Sequence, residues 1–101
     1  VYIIQSTDRK LPLEDIASAK GLNMTKLITE IENIVYSGTK VNINYYLDGV
    51  LDEDQQEEIL EYFKDDADTD SIEEALTEFD GDYEEEELRL MRIKFMSDFA
   101  N

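Results

Sequence analysis

The stretch PLEDIASAKGLNMTKLITEIENIVYSG, residues 12–38, decides the fold of this chain. Pro12 suits the first position of a helix, where its missing N–H would have no partner in any case, and Gly21 ends that short helix. Asn23 can cap a second helix, whose apolar residues recur at the spacing of one helical face. Two helices joined by a tight turn predict a helix-turn-helix. An ordinary helical hairpin within a bundle is the alternative interpretation.

The residues on either side of this stretch are less regular. Residues 1–8 are ambiguous between a helix and a short strand, and we expect a truncated helix. Residues 41–47 alternate Val41, Ile43 and Tyr45 with more polar side chains. This alternation predicts a short strand, and a strand directly after a helix-turn-helix suggests a degenerate wing.

Three further helices are predicted in the second half from capping-box patterns and apolar spacing. The last of them is apolar on two neighbouring faces, which is typical of a helix central to a core. The predicted fold class is mainly α: a helix-turn-helix lobe with at most a short β-strand, followed by a small acidic helical lobe. The domains would be a winged-helix-like lobe at 1–47 and a three-helix lobe at 48–101, packed as one compact unit. The predicted caps are Asp52, Asp70 and Asp82, with Gln55, Glu73 and Glu85 at the capping-box positions.

The charge of the chain is unevenly distributed. The 101 residues carry a formal net charge of −17 at pH 7. Residues 1–44 hold five bases and five acids, whereas residues 45–101 hold four bases and 21 acids. The whole excess of negative charge therefore lies in the second half, and such an asymmetry between halves indicates two separate roles.

Several kinds of site are excluded by composition or by spacing. The chain contains no cysteine and no histidine, which excludes disulfides, thiolate nucleophiles, Cys/His zinc sites and histidine-based triads. Asp66, Asp68 and Asp70 have the spacing of the first EF-hand ligands, but Ser71 stands where that loop needs glycine and Thr77 where it needs glutamate. We therefore predict no catalytic, cofactor-binding or metal site and no enzymatic activity for this chain.

The chain also lacks the patterns of membrane proteins. No apolar run approaches the ~20 residues of a membrane span, and no signal-peptide pattern opens the sequence. We expect no membrane contact and a cytoplasmic location. The opening residues are apolar and begin with Val1 rather than Met, so we expect a piece of a longer protein.

The second helix of a helix-turn-helix is the one that reads DNA. Its outward face would carry one base, Lys26, against two acids, Glu30 and Glu32. Because phosphate contacts from Lys and Arg dominate affinity for DNA, we expect at most weak contact with DNA. The candidate nucleic-acid residues are Lys20, Asn23, Thr25, Lys26, Thr29 and Lys40.

Four stretches carry a resemblance to a known family: IIQSTDRKLPLEDIASAKGL, SGTKVNINYYLD, LDEDQQEEILEYF and EEELRLMRIKFMSDFAN. From Asp8 to Asn101 the chain resembles the C-terminal helix-turn-helix region of bacterial RecQ-type DNA helicases. The resemblance implies that the parent is an ATP-dependent 3′-to-5′ DNA helicase of repair and recombination, which would use ATP and Mg. The motor motifs are not in this chain, so those cofactors are expected for the parent alone. The chain does not match the other C-terminal RecQ module, the HRDC domain, and no DNA-binding residue is carried over from it.

Two functional hypotheses follow. The first is a non-catalytic accessory domain of a RecQ-like helicase, positioning the enzyme by weak DNA contact or by docking on the rest of the parent. The alternative is an acidic protein-interaction module that binds a basic surface on a partner or on the helicase core. A stand-alone transcription regulator is disfavoured by the acidic balance.

Overall fold

The computed structural model describes residues 2–67 and 71–100, and for Ala100 the backbone alone. Within these ranges the chain is helical and contains no strand. Two π-helical segments, Tyr62–Asp66 and Met96–Ala100, continue the fifth and seventh helices. The helices are α1 (Tyr2–Asp8), α2 (Leu13–Lys20), α3 (Met24–Tyr36), α4 (Asn44–Leu47), α5 (Glu53–Glu61), α6 (Ile72–Phe79) and α7 (Glu85–Phe95). The prediction of a mainly α fold is confirmed, as is the truncated helix expected at the start of the chain.

The helix-turn-helix forms from α2, α3 and the turn between them. Pro12 precedes the first helical residue, one position earlier than predicted. Gly21 ends α2 in the left-handed region at φ 71°, a conformation that a side chain disfavours. Asn23 then caps α3, because its Oδ1 accepts a hydrogen bond from the N–H of Lys26 at 2.8 Å. The turn therefore depends on Gly21 and Asn23, as the sequence predicts.

The predicted strand over residues 41–47 is wrong. The side chain of Asn42 accepts a hydrogen bond from the N–H of Asn44 at 2.9 Å, which starts α4 instead. The N–H of Val41 donates to Ser97 Oγ at 3.2 Å rather than to a neighbouring strand. In the described part of the chain no second strand is present to pair with this segment, so the alternation reflects buried side chains in a turn.

The cap of α5 agrees with the prediction. The Asp52 carboxylate accepts a hydrogen bond from the N–H of Gln55 at 2.7 Å, and the Gln55 side chain accepts one from the N–H of Asp52 at 3.0 Å. This reciprocal capping box satisfies two backbone donors that the first turn of a helix leaves open.

The caps of α6 and α7 differ from the prediction. Ser71 caps α6, where Asp70 was expected; Asp70 itself lies outside the described residues. The predicted cap of α7 at Asp82 is wrong, since the capping box there is formed by Glu84 and Glu87. The reason is Tyr83, which is buried.

Tyr83 packs edge-on against Phe79, with ring centroids 5.1 Å apart. Burial of this ring keeps residues 80–83 in a turn, in which Asp80 and Gly81 both have positive φ. The helix therefore begins two residues later than its acidic pattern suggests, because a long-range packing contact outweighs a local capping signal.

The last helix, α7, occupies the centre of the fold, as its two apolar faces predict. It packs against α3, α4, α5 and α6. Leu88 and Met91 on this helix are fully buried. The buried core runs from the helix-turn-helix into the second half through this helix. The division into domains at residues 47 and 48 stays a prediction.

No helix in the described parts of the chain has both the length and the apolar character needed to cross a membrane.

Replacing Met91 with alanine should lower the free energy of unfolding by about 2–5 kcal/mol, because the change leaves a cavity at the centre of the core. Urea denaturation followed by far-UV circular dichroism measures this difference. Val50→Ala is the matched control, since Val50 is 39% exposed, and it should cost about 0.5 kcal/mol or less. Equal losses for the two variants would contradict the central position of α7.

Candidate nucleic-acid interface and the acidic surface

The basic candidates for nucleic-acid contact are exposed but do not form one patch. Lys20 lies at the end of α2, where its Nζ is 3.8 Å from a carboxylate oxygen of Glu30. Lys26 is exposed in the first turn of α3. Lys40 follows the other end of α3, a helix that is about 20 Å long. The three lysines are therefore spread along the whole helix.

The polar candidates are engaged within the fold to different degrees. The side chain of Asn23 forms the cap of α3. Thr25 is exposed. Thr29 Oγ1 donates to the carbonyl oxygen of Thr25 at 3.1 Å and accepts a hydrogen bond from Arg89 Nη2 at 2.9 Å. The part of α3 around Thr29 is therefore already contacted by α7.

A buried ionic contact lies beside Thr29. The carboxylate of Glu32 is held between two guanidinium groups, and we call these three residues the Glu32 clamp. Arg89 Nη2 is 2.6 Å from Glu32 Oε1, and Arg92 Nη2 is 2.5 Å from Glu32 Oε2. The three side chains are 9–14% exposed. The clamp joins α3 to α7 across 57 and 60 residues of sequence.

The charges of the clamp explain its titration. Burial of Glu32 by itself would raise the pKa of its carboxyl, but hydrogen bonds from Arg89 and Arg92 and their positive charges outweigh burial and hold the pKa below its ordinary 4.5. The hydrogen bond that Arg89 donates to Glu32 in turn raises the pKa of Arg89. The carboxylate is therefore charged in the fold wherever other glutamates are charged.

The sequence interpretation of Glu32 was wrong. It placed this residue on the outward face of α3, whereas the structure buries it against α7. The available signal was the pair Arg89 and Arg92, two arginines three residues apart in an otherwise acidic segment. Such a pair lies on one face of a helix and requires a counter-charge when that face is packed.

All four bases of the second half contact other groups of this chain. Arg89 and Arg92 bind Glu32, Lys94 Nζ donates to Asn44 Oδ1 at 2.7 Å, and Lys64 lies 4.7 Å above the ring of Phe99. Within residues 2–67 and 71–99, the acids that form ion pairs are Glu30 and Glu32, and both belong to the first half of the chain.

The exposed carboxylates of α5, α6 and the start of α7 consequently face solvent with little positive charge among them. We call them the acidic surface. It comprises Glu53, Asp54, Glu57, Glu58, Glu61, Glu73, Glu78, Glu84 and Glu85.

The described residues contain no group of three or more carboxylates arranged to hold a metal ion. Of the residues with EF-hand spacing, Asp66 is exposed, and Asp68 and Asp70 lie outside the described residues.

The geometry of α2, the turn at Gly21 and α3 defines a helix-turn-helix. Residues 1–47 match the family model described as the RecQ-1-like helix-turn-helix domain. This match confirms the predicted resemblance to the RecQ-type helix-turn-helix region over residues 1–47. Residues 48–101, which hold the acidic surface, lie beyond the matched region. A comparison with curated proteins gives no match.

Replacing Glu32 with glutamine should destabilise the fold by about 3–5 kcal/mol, because it leaves two buried guanidinium groups without their counter-charge. Chemical denaturation of the purified chain gives the difference. Glu30→Gln is the control, since its contact with Lys20 is exposed, and it should cost about 1 kcal/mol or less. A Glu32→Gln loss no larger than this control would show that the clamp does not hold α7 on α3.

The contribution of the clamp should also depend on pH. A carboxyl whose pKa is lowered by folding stabilises the fold fully above its unfolded pKa, and this stabilisation is lost as pH falls through the folded pKa. The difference in unfolding free energy between wild type and Glu32→Gln should therefore be constant near neutral pH and shrink below pH about 4.5. A difference that stays unchanged down to pH about 3 would contradict the charge-based account.

Proposed function

We propose that the chain is a non-catalytic accessory domain of a RecQ-type DNA helicase, which positions the motor by docking its acidic surface on a basic surface of the parent. The observation that carries this proposal is that all four second-half bases contact other groups of this chain, next to a region that matches the RecQ-1-like helix-turn-helix model. The parent would be a cytoplasmic, ATP- and Mg-dependent 3′-to-5′ helicase of DNA repair and recombination.

The state of α3 supports docking over DNA reading. Thr29 is hydrogen-bonded to Arg89, and the side chain of Asn23 is occupied by its cap. Glu85 lies one turn before Arg89, on the side of α7 that faces α3, and its negative charge acts on that arginine. A negative charge beside the reading helix opposes the approach of DNA phosphates.

The rest of a helicase offers the complementary charge. Proteins that hold nucleic acid do so through Lys and Arg side chains that neutralise phosphates. An acidic surface is attracted to such a region, and the attraction raises the association rate strongly at low salt. The acidic domain would thereby occupy, or lie beside, a surface that also attracts DNA.

A second candidate is weak DNA contact by the helix-turn-helix itself. Its support is the exposure of Thr25 and Lys26 at the start of α3, the position from which such helices contact base edges. Lys20, beside Glu30, and Lys40, beyond the end of α3, would add phosphate contacts.

Titration of this chain against the remainder of the parent protein separates the two candidates. We expect association that weakens steeply with salt and is retained when Lys20, Lys26 and Lys40 are all changed to Glu, since docking uses the other half of the molecule. Duplex DNA should bind the wild-type chain poorly. Absence of association at low salt would overturn docking, and DNA binding that disappears in the triple variant would establish the second candidate.

A further inference from the structure

A groove runs between α5 and the π-helical segment that follows α7. Its volume is about 810 Å³, which exceeds the space of one side chain and falls in the range of ligand-binding clefts. Helix α5 contributes three carboxylates and one leucine to its lining. We call Glu53, Glu57 and Glu61 the acidic side of the groove, and Leu51, Leu60 and Phe99 its apolar side.

The apolar side of the groove is open to a partner. Phe99 is 54% exposed, the largest exposure among the large apolar side chains of the described residues. Its ring is tilted against that of Phe95, with centroids 5.8 Å apart, and Lys64 Nζ lies 4.7 Å from its centroid. Leu60 is half-buried beside it in the groove. A partly exposed aromatic ring that its neighbours hold in place is typical of a contact residue.

The acidic side has a regular spacing. Glu53, Glu57 and Glu61 recur every four residues, so they form one row on α5 that is about 12 Å long. Like charges at this spacing destabilise an isolated helix by about 0.2–0.5 kcal/mol per pair. The groove also contains Lys64 and Lys94, but these are directed to Phe99 and Asn44. The row is thus a source of repulsion that a bound basic group would relieve.

The negative charge of the groove favours a basic occupant. DNA is excluded because it would bring phosphates to a row of carboxylates. A second copy of this chain is disfavoured by its own net charge of −17. A basic peptide segment satisfies the acidic side, and an apolar side chain on that segment would cover Phe99 and Leu60.

We infer that the groove between α5 and the segment Met96–Ala100 binds a lysine- or arginine-rich amphipathic segment from the rest of the parent protein. This inference rests on the proposed docking function, and it places the docking contact in this groove. The basic residues of the segment pair with Glu53, Glu57 and Glu61. An apolar residue packs on Phe99 and Leu60.

The first test uses a synthetic amphipathic peptide with lysines on one face and leucines on the other, added to the 101-residue chain. NMR chemical shifts of Leu51, Leu60 and Phe99 should move together, and affinity measured by calorimetry should fall with salt. A peptide with the same lysines but serines in place of leucines should bind about tenfold more weakly. Equal affinities for the two peptides, or shifts confined to α6, would overturn the inference.

The second test uses paired variants and the remainder of the parent protein. Phe99→Ala and Glu57→Lys should each weaken its association about tenfold. Tyr2→Ala and Asp15→Lys are the controls, because both positions are exposed and lie outside the groove and outside the acidic surface. Circular dichroism of each variant verifies that the fold is retained.

The outcomes distinguish the groove from the wider proposal. If the parent associates with the chain but the groove variants bind as tightly as the controls, the groove inference fails and docking by the acidic surface stands. If the parent does not associate with the wild-type chain at all, the proposed function fails as well.

Discussion

The carboxylate of Glu32, held between Arg89 and Arg92, is the contact on which the arrangement of this molecule depends. It fixes α7 against the second helix of the helix-turn-helix, and α7 in turn supplies the surface on which α4, α5 and α6 pack. Buried ion pairs add little net stability compared with apolar packing, but an unpaired partner is costly. The clamp therefore specifies which face of α7 meets α3 more than it strengthens that contact.

The clamp also determines how charge is distributed over the surface. Two of the four second-half bases are consumed in neutralising one first-half acid, so the remaining acids of α5 and α6 are left to solvent. A fold with a net charge of −17 resists its own compaction through repulsion. The acids are tolerated because they lie on exposed helix faces and in first turns, where the helix dipole favours negative charge. The same placement leaves them available to a basic partner.

Local signals in the sequence were sufficient for much of the fold, and long-range contacts explain the rest. Gly21 and Asn23 fix the turn of the helix-turn-helix through their own backbone and side-chain preferences, and Asp52 does the same for α5. The late start of α7 depends on the packing of Tyr83 against Phe79. The local capping pattern does not predict this packing. The burial of Glu32 depends on arginines 57 and 60 residues away. The composition therefore predicted an acidic surface. It did not predict that the four bases of the second half contact other groups of the chain.

The separation between Glu32 and its partners has a consequence for the order of folding during synthesis. Arg89 emerges 57 residues after Glu32, so the flank of α3 that α7 covers has no cover while the intervening chain is being made. Contacts this distant in sequence close late, because the loop between them must first be ordered. The helix-turn-helix can form early from local contacts, but its inner charge stays hydrated until α7 arrives. The helix-turn-helix therefore emerges from the ribosome before α7 does. Completion of the core is a late step in the folding of the nascent chain.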